Sequence, residues 1–255
     1  MMQQPRSPGK LVAFVLACLA AGSPAPAGPP SPHDLVPVGA FAIDRHEVTI
    51  GQFRAFVQVT GRKTKAETQG GGFQFRNGWE RMAGWIWSAP FGKAGGDREP
   101  AVHVTWTEAR DYCQWAGLRL PRDAEWVSAA YREQRASPPA PFVTAKTYTF
   151  PTGDGPEGAN QTASPLQFGG YPAPAAELGQ GRGHLPVGTT AMGVNGLLDM
   201  GGNVWEWVDH DVGGNKRTRG GSWWYGPAQM RVDALYDKAP DFPAVYIGFR
   251  CARDQ

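Results

Sequence analysis

The 255-residue chain has little net charge, few cysteines and no long apolar run, and each shortage narrows what it can be. A formal charge of +2, from 25 Lys and Arg against 23 Asp and Glu, gives a polyanion no footprint to bind. No Lys/Arg stripe appears either, so nucleic acid is not an expected partner. The apolar run from Leu11 to Ala21 is too short to cross a bilayer as a helix, which takes roughly 20 residues, and no transmembrane span is expected. Heptads, internal repeats and long periodic helices are missing. What is plentiful is glycine (34), proline (23) and tryptophan (10), which points to loop-rich chain with few regular elements and not to a doubly wound sheet.

The first residues have the layout of a secretory signal peptide, residues 1–27. Arg6 and Lys10 are the basic flank, Leu11–Ala21 the apolar centre, and Ala25-Pro26-Ala27 the small residues before a cleavage site at Gly28. Val15-Leu16-Ala17-Cys18 loosely resembles a lipobox, although Leu16 suits it poorly; on that alternative Cys18 carries an N-terminal lipid anchor. Either way the expected location is periplasmic or secreted. A Pro-rich linker at 28–35 precedes one domain, 36–255. With Cys18 cleaved or lipidated, Cys113 and Cys251 remain in a compartment that permits disulfides. They either pair or stay as two buried thiols; a bridge closing so long a loop is worth roughly 4 to 5 kcal/mol by the chain-entropy model.

Local patterns place a few elements. Leu35–Val48 alternates imperfectly and is extended in character. Thr49 with Gln52 three positions on is a capping box, which predicts a helix carrying Phe53, Phe56 and Val57 on one face and ending at Gly61. Residues 62–99 have no period and are aromatic, with Phe73, Phe75, Trp79, Trp85 and Trp87 expected to pack that loop down. Ala101–Val104 has the composition of a short strand. Thr105 and Glu108 form a second capping box, predicting a helix with Ala109, Tyr112, Cys113 and Ala116 on one face before Gly117. A third helix is expected over Asp123–Tyr131, and long loops over 134–190.

Seven segments then follow in order: Asp44-x-x-Glu47-Val48-Thr49, Pro100-x-x-x-Val104-Thr105-Trp106, Ala109-x-x-Tyr112-Cys113-x-Trp115-Ala116-Gly117, Arg119-Leu120-Pro121-x-x-Ala124-Glu125-Trp126, Gly202-Asn203-Val204-Trp205-Glu206-Trp207, Arg219-Gly220-Gly221-Ser222-Trp223 and Gly248-Phe249-Arg250-Cys251. Together they resemble the formylglycine-generating enzyme (sulfatase-modifying factor) family over nearly the whole mature chain. The layout is similar to that of a periplasmic relative that acts in pyoverdine maturation. The resemblance implies an α+β, C-type-lectin-like fold with small antiparallel sheets, a few helices and much irregular chain. It also implies a disulfide between Cys113 and Cys251, and a structural Ca²⁺ on the side chains of Asp199 and Glu206 and the carbonyls of Gly202 and Val204, an oxygen set that suits a hard cation. Trp205 and Ser222 correspond to positions bordering the family's substrate pocket, which makes Ser222, Trp205, Trp224 and Tyr225, beside Trp223, the pocket candidates. Arg250, Glu47 and Glu125 are expected in structural hydrogen bonds or caps.

One departure bears on the chemistry. Formylglycine synthesis in this family uses Cu(I) held by two cysteines shortly after Gly-Gly-Ser, since a soft ion suits thiolates. Here no cysteine occurs from Trp223 to Arg250, and Met230 alone cannot supply a dithiolate. The five histidines, His33, His46, His103, His184 and His210, lack close metal-ligand spacing. No Cu(I) dithiolate site is expected, and any other redox metal is left unassigned. The expected function is an exported maturation oxidoreductase acting on a peptide, a protein or a peptide-derived small molecule. The alternative is a non-catalytic protein- or glycan-binding module on the same scaffold, and true formylglycine synthesis ranks last.

Overall fold

The computed structural model describes Met1 and residues 33–75, 78–161 and 183–255. Nearly all of the expected signal peptide, Cys18 and most of the linker lie outside the described residues, so the structure bears on neither the leader nor the lipid anchor.

Short-range polar pairs start the main helices. Thr49 Oγ1 accepts from the Gln52 N–H at 3.1 Å while Gln52 Oε1 accepts from the Thr49 N–H at 2.9 Å, which satisfies two otherwise unpaired donors and starts α1 (Ile50–Thr60). Gly61 ends it at φ 66°, a left-handed cap that glycine adopts without a Cβ penalty. Thr64 and Glu67 cap the single turn α2 (Lys65–Thr68), and Thr105 and Glu108 cap α3 (Trp106–Trp115). At the start of α4 (Asp123–Tyr131) the Arg122 N–H donates to Glu125 Oε2 at 2.8 Å. The helices expected at Thr49, Thr105 and Asp123 are thus present.

Strands β1 (Leu35–Val38) and β2 (Phe41–Asp44) form a hairpin, with β9 (Ala252–Asp254) antiparallel to β2. A second hairpin joins β3 (Phe73–Phe75) to β4 (Trp79–Arg81). The largest sheet has the order β7 (Tyr236–Lys238), β6 (Asn215–Arg219), β5 (Trp205–Val212), β8 (Ile247–Phe249); its β5–β8 pair is parallel and the others antiparallel. The α+β, loop-rich architecture agrees with the expectation from sequence.

Two expectations are corrected. Ala101–Val104 is not a strand: His103 takes φ 57°, and the flanking backbone donates outward, Ala101 to Val48 O and His103 to Ala244 O. Residues 62–99 are not one loop, since they contain α2 and the β3–β4 hairpin. The aromatics there do pack down in part: Trp85 and Trp87 are buried, whereas Trp79 is exposed.

Phe53, Phe56, Tyr112, Trp205, Trp207, Ile247 and Phe249 lie in the main core, with α1 and α3 against one face of the large sheet. Trp126, Tyr131 and Val208 belong to a second core that α4 builds on the other face. Cys113, on α3, is disulfide-bonded to Cys251, between β8 and β9, over a sequence separation of 138.

Candidate functional site

Strand alternation sorts the large sheet into two chemically different faces. Trp207 pairs with Thr218 and Thr218 with Tyr236, so Trp205, Trp207, Thr218, Tyr236 and Lys238 share one face with Ile247 and Phe249. Glu206 pairs with Arg219, and Arg217 with Asp237, on the opposite face.

The second face is ionic, and its Glu206 and Arg219 are paired. Glu206 and Arg250 are both fully buried and joined by two hydrogen bonds of 2.7 Å, from Arg250 Nε and Nη2. Trp126 Nε1 donates to Glu206 Oε2 at 2.7 Å, and Arg250 also donates to the carbonyls of Asp44 and Leu198. Bidentate geometry and extra acceptors are what allow a buried ion pair to persist. Arg219 makes a similar fork to Asp123. Arg250 is therefore a structural hub, as expected, and Glu125 caps α4 while pairing with Arg119. Beside this hub, Glu47 is fully buried; Oε1 accepts from Asn203 Nδ2 at 3.0 Å, and Oε2 has no partner among the described residues. Burial, followed by the charges of Asp199 and Glu206, pushes the Glu47 carboxyl well above the usual carboxylate range.

The implied calcium ligands fall in this region. Asp199, at φ 60°, accepts from the Gly188 N–H and Thr190 Oγ1, both at 2.6 Å, while Glu206 is taken by Arg250 and Trp126. Both carboxylates thus face protein donors. The two carboxylates as arranged present their oxygens to protein N–H and O–H groups and not to an open calcium position. Calcium would have to compete with these donors.

The first face is aromatic and unsatisfied. Gly220 (φ 93°) and Gly221 (φ 74°) turn the chain after β6, and a Cβ on Gly220 would come within 2.7 Å of Met200 O. The turn continues through Ser222, whose carbonyl accepts from the Tyr225 N–H at 3.0 Å and whose Oγ accepts from the Trp224 N–H at 3.3 Å. Ser222 is fully buried and shapes the turn. Trp205 sits between Tyr225 (ring centroids 5.6 Å) and Tyr236 (5.0 Å), while Tyr246 links Tyr225 (5.7 Å) to Trp224 (5.4 Å). The structure thus brings Trp205, Trp224 and Tyr225 into one cluster, with Trp223 against Trp224 at 5.2 Å. Trp205 and Trp224 are each 1% exposed; Tyr225, Tyr236 and Lys238 are half-buried and form the solvent side.

Buried N–H groups are nearly always paired. Trp106, Trp126 and Trp207 obey this through Val208 O, Glu206 and Val104 O. The indole N–H groups of Trp205, Trp223 and Trp224 do not: none has a partner among the described residues. Met230 is buried, with its side chain against Gly201 and Gly221 and its carbonyl accepting from Tyr131. Tyr236 and Lys238 were not singled out from sequence; their one-residue spacing was the available signal, but only the β6–β7 register carries it to Trp205.

The sulfatase-modifying factor enzyme 1-like domain matches residues 14–255, which is nearly the whole chain. The chain belongs to the sulfatase-modifying factor family. It is 31% identical over 264 residues to the formylglycine-generating enzyme of Thermomonospora curvata, covering 86% of this chain and 84% of that protein. It is also 32% identical over 248 residues to the inactive C-alpha-formylglycine-generating enzyme 2 of Mus musculus, covering 85% and 76%. The structure of PvdO from Pseudomonas aeruginosa superposes with a TM-score of 0.58 at 24% identity over 84% of this chain and 80% of that one, a likeness of fold. Sulfatase-modifying factor proteins similar to this chain therefore include both active and inactive members, and overall similarity does not decide between them.

Proposed function

We propose that this sulfatase-modifying factor protein is an exported maturation oxidoreductase that acts on a peptide or peptide-derived metabolite without a copper dithiolate. The observation that carries the proposal is the set of three buried indole N–H groups without partners among the described residues, those of Trp205, Trp223 and Trp224, whose rings are linked through Tyr225 and Tyr246. Unpaired buried donors cost stability, about 1–3 kcal/mol each, and so call for a partner, which a ligand can supply. Export is supported by the signal-like leader and by the disulfide between Cys113 and Cys251. Formylglycine synthesis ranks last, because the segment from Trp223 to Arg250 offers no thiolate for Cu(I).

A second reading, a non-catalytic binding module, draws on the likeness to the inactive mouse relative. Oxygen consumption by the purified mature protein, alongside elemental analysis, separates the two. Turnover with a peptide-derived substrate supports the oxidoreductase. Tight binding of such a compound with no oxygen uptake, whatever metal is bound, supports the module. A copper-dependent aldehyde on a Cys-x-Pro-x-Arg peptide would overturn both.

A further inference from the structure

Lys238 differs from the other cations of the large sheet. Its neighbour across the β6–β7 ladder, Lys216, pairs with Asp211 at 2.8 Å and covers the Trp106 ring at 3.6 Å. Arg217 is held by Asp237, and Arg219 by Asp123. The Lys238 side chain makes no hydrogen bond or ion pair among the described residues; its Nζ lies 5.4 Å from the Trp205 ring centroid and 5.6 Å from that of Tyr236. Asp237, its sequence neighbour, points to the opposite face and is committed to Arg217.

We propose that Lys238 is the anchor for a carboxylate of the ligand, whose apolar part lies against the half-buried rings of Tyr225 and Tyr236. The proposal rests on the aromatic face being the ligand site of the oxidoreductase. The charged group there is the Lys238 ammonium, a donor only, beside tyrosine hydroxyls that both donate and accept. An ammonium with no carboxylate paired to it selects an anion. A single cation with no arginine fork favours a singly charged carboxylate over a phosphate, which usually draws several donors or arginines. The aromatic walls supply apolar area that an inorganic ion cannot use. Burial pulls the Lys238 ammonium below the usual lysine range, and an entering carboxylate would restore its charged form.

The test measures binding of N-acetyl-tyrosine and N-acetyl-tyrosinamide to the full chain by calorimetry, for the wild type, Lys238→Gln and Lys238→Arg. The wild type should prefer the carboxylate by on the order of tenfold, the size of one charge-assisted hydrogen bond. Lys238→Gln should erase that preference and leave amide binding unchanged, while Lys238→Arg should keep most of it. Equal binding of both probes by the wild type, or a preference that survives Lys238→Gln, overturns the anchor and leaves the aromatic site standing. Binding of neither probe overturns the anchor and removes support for the aromatic site as well.

Discussion

The two faces of the large sheet are built from alternate residues of the same strands, yet the strands' own polar side chains are paired on one and not on the other. On the ionic face Glu206 satisfies Arg250 and Trp126, and Arg219 satisfies Asp123. On the aromatic face Trp205, one residue away from Glu206, has an unpaired N–H, and Lys238, one residue away from the paired Asp237, has an unpaired ammonium among the described residues. Side chains that satisfy each other hold a fold together. Side chains left unsatisfied at a half-buried edge are available to something else.

The largest expected effect that tests this division is on stability. Arg250→Leu should lose about 3–5 kcal/mol in urea denaturation, because it strands the Glu206 charge in the core. Lys238→Gln should change stability by less than about 0.5 kcal/mol, as a substitution that breaks no pairing. Similar losses in both would erase the distinction between the faces.

A matched pair of indoles sharpens it further. Trp126→Phe removes a donor that Glu206 uses, while Trp205→Phe removes one with no partner. Both lose similar packing, so Trp126→Phe should be the more destabilising by about 1–3 kcal/mol in the same assay. Equal losses would mean that Trp205 Nε1 is satisfied in solution.

Glu47 provides a pH test of the ionic side. Its carboxyl is raised in the folded state, so the folded protein holds a proton that the unfolded chain gives up near its ordinary value of about 4.3. Stability should therefore fall as pH rises from there toward the raised folded value, and Glu47→Gln should flatten that part of the curve. A profile unchanged by the substitution would count against a buried, protonated Glu47. The smallest effect concerns calcium. With Asp199 and Glu206 both engaged, millimolar calcium should leave the melting temperature unchanged; a rise that Asp199→Ala abolishes would restore the four-ligand assignment.

Much of the fold was legible because its signals are local. Thr49 with Gln52, and Thr105 with Glu108, are three residues apart, so the sequence contains both halves of each cap. The ordered motifs made the family and the pairing of Cys113 with Cys251 legible as well. Ala101–Val104 was misleading because an apolar run has an extended character whatever its partners, and here the backbone bonds go outward around the His103 kink. The Phe73–Arg81 hairpin was hidden by the shortness of its strands. At the candidate site, Trp205, Trp224 and Tyr225 came from the motifs, but Ser222 proved to be part of the turn and Lys238 went unnoticed. No local pattern shows that Lys238 lacks a carboxylate, because that depends on which face of the sheet Asp237 occupies and on Arg217 having claimed it.

The covalent link from Cys113 to Cys251 has a further consequence for how the protein withstands proteolysis. Every strand of the large sheet lies between the two bridged positions. A protease that cuts the backbone once anywhere between them makes a nick but releases no fragment, and both faces of the sheet stay on one molecule. Such nicked protein would migrate as one band on an unreduced gel and as two after reduction.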